Sequence, residues 1–296
     1  MIKNKTILGA LLLAAVFAAA PVAAQDHSAP AGEEAGEASS SHATIEIPKE
    51  PWSFSGVFGT FDKNQLQRGF QVYREVCASC HGMHLVAFRN LAEPGGPEFS
   101  EAQVKALAAT YEIADPDTEA GVRPGLPSDR WPNPFANDRD ARDANGGSVP
   151  PDLSVIAKAR STTQPFPWWI LNYFTPYAEG GPDYIHALLT RYLDEPPAGS
   201  DVPEGKYYNE VFPGHAIGMP PPLQDGLVTY EAAEDGSTVP QTVDQYSRDV
   251  SAFLMWAAEP HLVARKETGF QVMAFLFLFA VIMYLVKRKL WSKVDH

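Results

Sequence analysis

Two long apolar stretches stand near the two ends of the chain. Residues 7–20 form the first, behind the basic residues Lys3 and Lys5 and ahead of small residues that end at Ala24. This order is typical of a secretory signal peptide, which we assign to residues 1–24, with an uncleaved membrane anchor as the alternative. The rest of the chain is therefore expected to be exported.

The second apolar stretch, residues 269–286, contains no charged residue. As a helix it would reach about 27 Å, close to the thickness of the hydrocarbon core of a bilayer. A buried helix of a soluble domain is the alternative, but the stretch is apolar on all sides. The basic tail, residues 287–296, predicts a cytoplasmic C-terminus by the positive-inside rule. We assign residues 263–286 to a linker and a single transmembrane anchor.

Between these stretches, residues 25–44 are small, polar and acidic, which predicts a flexible leader. Residues 45–262 are long enough for one domain, and they contain no internal repeat. By the orientation of the anchor, this domain is predicted to lie outside the inner membrane, in the periplasm.

Two segments of this domain have helical periodicity. The first is predicted to begin at Asp62, with Gln65 three residues later, and the second at Thr242, again with glutamine three residues on. Gly69 interrupts the apolar stripe of the first helix, and we predict that the two helices cross there. That stripe comprises Leu66, Phe70, Tyr73, Val76/Cys77 and Cys80.

Proline and glycine are concentrated between the two helices; the whole chain has 26 prolines and 22 glycines. Such segments exclude long helices and central strands. We predict ordered loops with short helices near residues 100–111, 153–159 and 184–193. The expected fold is therefore mainly α.

The candidate chemistry lies in Cys77-Ala-Ser-Cys80-His81, and the chain has no other cysteine. The C-x-x-C-H spacing is typical of c-type haem attachment, in which both thiols form thioethers with the haem vinyl groups. His81 then binds the iron. A thiol–disulfide redox motif and half of a zinc site are the alternatives. We predict one haem c, bound covalently through Cys77 and Cys80 in a cytochrome c-like domain.

Met219, in Gly-Met-Pro-Pro-Pro, is the best candidate for the opposite face of the iron. The other methionines lie in the signal peptide, beside His81, in the second helix or in the anchor. His215 stays open as the alternative ligand. We interpret the remaining histidines of the domain as structural or solvent-facing. They are His84, His186 and His261. An iron with both axial positions filled by the protein predicts an electron carrier without catalytic residues. A haem enzyme or sensor with an exchangeable ligand is the competing class.

Residues 25–286 carry 17 of the 23 basic residues and 35 of the 36 acidic ones, a net charge of −18. This charge makes nucleic acid an improbable partner. It favours a basic, mobile protein, because complementary charge accelerates encounter. Ordinary solubility is the alternative explanation.

From about residue 52 to 291 the chain resembles the cytochrome c1 family, in its bacterial form. These proteins are the haem subunits of bc1-type ubiquinol–cytochrome c reductases, or respiratory Complex III. The motifs that carry the resemblance are Arg68-Gly-Phe-Gln-Val-Tyr before the haem motif, Asn133-Pro-Phe-Ala-Asn, Ala141-Arg-Asp-Ala-Asn-Gly-Gly, Pro150-Pro-Asp-Leu-Ser, Phe212-Pro-Gly-His-Ala-Ile-Gly-Met-Pro-Pro-Pro-Leu and Phe253-Leu-Met-Trp-Ala-Ala-Glu-Pro.

The resemblance implies axial roles for His81 and Met219, and contact between Arg160 and a haem propionate. It also implies that three residues line the haem pocket: Asn145, Pro151 and Tyr184. In two places the chain departs from the family: residues 161–182 look like an insertion, and His215 stands where glutamine is common.

The resemblance further implies a non-catalytic carrier within an enzyme complex of the bacterial inner membrane. Such a subunit takes single electrons from a Rieske iron–sulfur protein and passes them to a soluble or anchored cytochrome c. Its anchor packs beside cytochrome b in a dimeric complex. A free-standing, membrane-anchored cytochrome shuttle is the alternative.

Overall fold

The computed structural model describes residues 47–162, 179–231 and 238–292. The predicted signal peptide, the leader, most of the apparent insertion and the last four residues lie outside these ranges. The described part is mainly α, as predicted. Its α-helices are α1 (Lys63–Glu75), α2 (Glu101–Ala108), α3 (Asp138–Ala144), α4 (Ile156–Ala159), α5 (Gly180–Thr190), α6 (Val243–Ala258) and α7 (Leu262–Trp291).

Two small antiparallel hairpins and two 3₁₀ turns complete the described elements. Strands β1 (Glu112–Ala114) and β2 (Val122–Pro124) pair with each other, as do β3 (Tyr207–Tyr208) and β4 (Ala216–Ile217). The 3₁₀ turns are Cys77–Ser79 and Phe88–Ala92. Because the strands are only two or three residues long, the framework of the domain comes from its helices and ordered loops.

Helices α1 and α6 cross at Gly69, as the sequence predicts. A Cβ atom at this position would lie 2.1 Å from the carbonyl oxygen of Asp249 and 2.7 Å from the Cβ of Phe253. Only a residue without a side chain permits this approach. Beside the crossing, Arg68 donates through Nε and one terminal nitrogen to the buried carboxylate of Asp249, at 2.9 and 3.1 Å.

Both predicted helix starts are confirmed, because the side chains of Asp62 and Thr242 accept from the backbone N–H three residues later. The predicted continuation of α1 through the cysteines is wrong. The helix ends at Glu75, and Val76 has φ −118° and ψ −60°. The cysteines therefore lie outside α1, on a separate and tighter 3₁₀ turn.

The short helices agree with the sequence in part. Helices α2 and α4 lie inside the predicted segments, but α5 begins four residues before the predicted start. Pro182 is tolerated there because the first turn of a helix lacks internal acceptors for its N–H groups. The sequence analysis did not predict α3 or the two hairpins.

The core lies around the α1–α6 crossing and continues under the haem motif. Phe70 of α1 packs against Phe253 of α6, with 5.7 Å between ring centroids. Tyr73 meets Trp131 edge-on at 6.0 Å. Tyr73 also donates from its hydroxyl to the carbonyl oxygen of His81, at 3.3 Å. The aromatic core is thus joined directly to the residue expected to bind iron.

The predicted anchor is part of α7, which has 30 residues and an 18-residue window of mean hydropathy 2.3. By length and composition this helix can cross a bilayer. It begins at the buried Leu262, so the first residues of the predicted linker, 263–268, are turns of the same helix. One continuous helix therefore runs from the buried Leu262 through the predicted linker into the anchor.

Candidate haem site

The two cysteines and His81 are held on one turn directly after α1. The N–H groups of Cys80 and His81 both donate to the carbonyl oxygen of Cys77, at 3.1 and 2.9 Å. Both cysteines are half-buried as whole residues, and their thiols are not joined in a disulfide. This turn presents two thiols and an imidazole from one short segment, as covalent haem attachment requires.

The environment of Cys77 does not suit a redox dithiol. Burial, with a smaller effect from Cys80, raises the pKa of the Cys77 thiol to about 12. Redox-active cysteines have a depressed pKa, because the thiolate is the attacking species. Among the described residues, no three His, Cys, Asp or Glu side chains are grouped to hold a metal ion. A thioether has no proton to lose and suits this position better.

The ring of His81 is oriented by a backbone carbonyl. Its Nδ1 lies 2.7 Å from the carbonyl oxygen of Pro151, which can only accept a hydrogen bond, so Nδ1 carries the proton. Burial lowers the pKa of His81, although the hydrogen bond to Pro151 acts in the opposite direction. The imidazole is therefore neutral, with its Nε2 lone pair available to a metal.

Asp152 fixes the loop that carries this carbonyl. One oxygen of its carboxylate accepts from the backbone N–H of His84 at 2.9 Å and from the His84 ring at 2.7 Å. The other oxygen accepts from the N–H of Ser154, and Leu153 donates to the carbonyl of Gly82. The sequence analysis missed Asp152. The spacing Asp-x-Ser, typical of an Asx turn, was the available signal.

Met219 lies half-buried just beyond the β3–β4 hairpin. Tyr192 donates from its hydroxyl to the carbonyl oxygen of Met219 at 3.2 Å. A Cβ on Gly218 would lie 2.5 Å from the Oγ of Ser148, so the Met219 loop packs closely against the loop that leads to Pro151. The structure thus brings the loop of Met219 next to the loop that orients His81.

His215 is engaged within the hairpin connection. It has a φ of 58°, and its Nδ1 donates to the carbonyl oxygen of Asn209 at 3.2 Å. Its ring stacks on Tyr208, with 5.5 Å between centroids. Met83 and Met255 are fully buried in the core, as expected. The burial of Met83 and Met255 disfavours them as iron ligands, and His215 stays open as the alternative to Met219.

The other predicted histidines have the expected structural or solvent-facing positions. His84 is exposed and bonded to Asp152. His186 is buried, with its Nε2 3.0 Å from Asp244 and its Nδ1 3.6 Å from Glu50. His261 is exposed at the start of α7.

Arg160 and Tyr184 lie close to each other, on different elements. Arg160 is exposed at the end of α4, whereas Tyr184 is half-buried on α5. Burial raises the pKa of Tyr184, and the positive charge of Arg160 offsets part of that rise. Burial also raises the pKa of Tyr192, with a contribution from Tyr184.

Asn145 ends α3, and its side-chain amide donates to the carbonyl oxygen of Ala141 at 2.7 Å. This contact shapes the turn before Ser148. The described residues fit a haem held by a neutral histidine and a thioether. Cys77 and Cys80 would form the thioethers, and the exposed guanidinium of Arg160 would be available to a propionate. A haem held in this way would exchange electrons.

Comparison with known proteins shows the family of this chain. Residues 52–294 match the model of the Cytochrome C1 family. The chain is 57% identical to cytochrome b/c1 of Bradyrhizobium diazoefficiens, over 83% of this chain and 35% of that protein. It is 48% identical to cytochrome c1 of Blastochloris viridis, over 83% of this chain and 86% of that protein. It is 44% identical to cytochrome c1 of Rhodospirillum rubrum, over 88% of this chain and 93% of that protein.

The chain therefore spans about a third of the first of these relatives and most of the other two.

Proposed function

Because this chain belongs to the cytochrome c1 family, we propose that it is the electron-transferring haem subunit of a bc1-type ubiquinol–cytochrome c reductase. It carries one haem c, attached through Cys77 and Cys80. The observation that supports this function best is the hydrogen bond from His81 Nδ1 to the Pro151 carbonyl, at 2.7 Å. It leaves a neutral imidazole with one free nitrogen directly after two alkylatable thiols.

When bound, the haem supplies a one-electron iron couple. The protein's task is then to hold the group and set its potential. His81, oriented by the Pro151 carbonyl, would bind the iron through Nε2, and Met219 would supply the second ligand. A thioether favours the reduced iron and so raises the potential, which suits a carrier late in an electron-transfer chain. Arg160 meets a propionate, while Asn145, Pro151 and Tyr184 line the pocket.

The partners follow from charge and from the relatives. The exported part, with a net charge of −18, favours a basic cytochrome c as acceptor. A relative named cytochrome b/c1 supports cytochrome b as the neighbour of α7. We propose a Rieske iron–sulfur protein as the donor, a dimeric complex, and a single-pass inner-membrane position. The haem domain lies in the periplasm and the basic tail in the cytoplasm.

Electron delivery by the detergent-solubilised native complex tests this function. Reduced with quinol, the complex should pass electrons to a basic cytochrome c, and the bimolecular rate should fall as salt rises, because screening weakens charge steering. The measurement is stopped-flow absorbance at several salt concentrations. A bimolecular rate that does not change with salt concentration would exclude charge steering between the two proteins. Isolation of the native protein without cytochrome b or a Rieske protein would favour the free-standing shuttle.

Arg160→Gln tests the proposed propionate contact. We expect a lower midpoint potential, by roughly tens of millivolts, because a positive charge at the haem edge shifts the energy of the iron charge by about 1 kcal/mol. The matched control is Lys158→Gln: Lys158 lies two residues away and pairs with Glu259 at 2.7 Å. Redox titration of both variants checks the prediction. Equal potentials in both would place Arg160 away from the haem.

A further inference from the structure

A loop with an apolar tip lies beside the first turns of α7. This loop, residues 54–61 and here called the Phe58 loop, is held at both ends by aromatic side chains. Phe54 is fully buried and stacks on Trp52 at 5.4 Å, and Phe61 packs against Phe54 at 4.9 Å. Between these ends the tip points outwards, because Val57 is 42% and Phe58 77% exposed.

The Phe58 loop is joined to α7 by two contacts. Lys266 donates from its amine to the carbonyl oxygen of Phe54 at 2.5 Å. One helical turn further along α7, the ring of Phe270 meets the ring of Phe58 edge-on, with 5.5 Å between centroids. The loop therefore has a defined position along the axis of the membrane-spanning helix.

That position coincides with the edge of the apolar stretch. Phe270 is the second residue of the charge-free stretch 269–286, whereas Arg265, Lys266 and Glu267 immediately precede it. This change from charged to apolar residues marks the boundary between the headgroup region and the hydrocarbon core. Because the Phe58 ring touches Phe270, it lies at the level of that boundary.

The exposure of Phe58 is similar to that of side chains in the membrane-spanning stretch. Its ring is as exposed as that of Phe277, which is 74% exposed within the apolar stretch. A single exposed apolar residue on a soluble domain needs no explanation. Here the exposed ring contacts Phe270 and continues the apolar surface of the membrane-spanning helix.

We propose that the tip of the Phe58 loop inserts into the interfacial layer of the bilayer and contacts phospholipid. The protein then has two membrane contacts, α7 and this tip. Two contacts, joined through Lys266 and Phe270, restrain the tilt of the haem domain relative to the membrane plane. The inference rests on α7 crossing the membrane and not on the ligands of the iron.

Site-specific photocrosslinking in native membranes tests the proposal. A benzophenone-bearing phenylalanine replaces Phe58 in the full-length, haem-loaded protein, in cells grown on radioactive phosphate. After illumination of the isolated membranes, the protein is purified, extracted with organic solvent and assayed for bound radioactivity and adduct mass. The same probe at Phe277 gives the value for a position in lipid. At Leu227, which is 49% exposed in a loop remote in sequence from the span, it gives the background.

We expect several-fold more phospholipid adduct at position 58 than at position 227, and a yield near that at 277. A normal haem spectrum of each variant shows that the domain has folded. Crosslinking of position 58 mainly to another polypeptide would overturn the proposal in favour of a protein contact. A phospholipid adduct no higher than the Leu227 background would overturn it in favour of a tip in water.

Discussion

Met219→Leu is expected to keep the haem covalently attached and to lower its midpoint potential by roughly 0.1–0.3 V. Leucine has nearly the same volume as methionine but no sulfur, so the thioether ligand is lost while Cys77 and Cys80 remain. The loss removes the preference for reduced iron, within the range of about 0.8 V over which axial ligands set haem potentials. Redox titration with near-infrared spectroscopy measures both the potential and the ligand.

Two control variants make this result specific. Met255→Leu changes a fully buried core methionine, and we expect the potential to stay near that of the wild type. His215→Gln removes the competing imidazole and should leave the methionine–iron band in place. If Met219→Leu left the potential unchanged while His215→Gln altered it, the sixth ligand would be His215. The untreated protein should also resist carbon monoxide and cyanide, because neither iron face is open.

Gly69→Leu is expected to prevent stable folding of the haem domain. Its Cβ would stand 2.1 Å from the carbonyl oxygen of Asp249, so the backbones of α1 and α6 would have to separate. Overpacking usually costs about 1–3 kcal/mol, and a clash with backbone, which cannot rotate away, lies at or above that range. Separation also weakens the bidentate pair between Arg68 and the buried Asp249 carboxylate.

Denaturant unfolding, with the level of haem-loaded protein in membranes, measures this effect. Gly269→Leu is the matched control, because Gly269 is also in a helix but a Cβ there meets no atom within 4 Å. We expect that variant to accumulate and unfold like the wild type. Full stability and haem content in Gly69→Leu would contradict the crossing described here.

The features that the sequence predicted well depend on near neighbours in the chain. The cap at Asp62 needs only the backbone N–H of Gln65, and the Cys77–His81 motif needs only its own spacing. The end of α1 was placed wrongly for the same reason. An apolar stripe with helical spacing continues through Cys80, and the stripe by itself does not show that the backbone tightens after Glu75.

Other features depend on segments far apart in sequence. Asp152 was missed because its partner, His84, lies 68 residues away. The neighbourhood of Arg160 and Tyr184, and the packing of Gly218 on Ser148, likewise have no local signal. The Phe58 loop was also overlooked, because a phenylalanine in a short loop does not by itself indicate a membrane contact. That inference needs the contact between Phe58 and Phe270, which only the fold shows.

The sequence by itself determined the class of chemistry, the anchor and the two main helices, because covalent attachment, apolar length and capping are written in short stretches of residues. Only the tertiary structure decided which nitrogen of His81 is free. That depends on the carbonyl of Pro151, which lies 70 residues away in sequence and contacts the His81 ring in the fold. The tertiary structure also decided that the Met219 loop packs against that same segment. Contacts of this kind arise from packing between distant elements, whose geometry no local pattern contains.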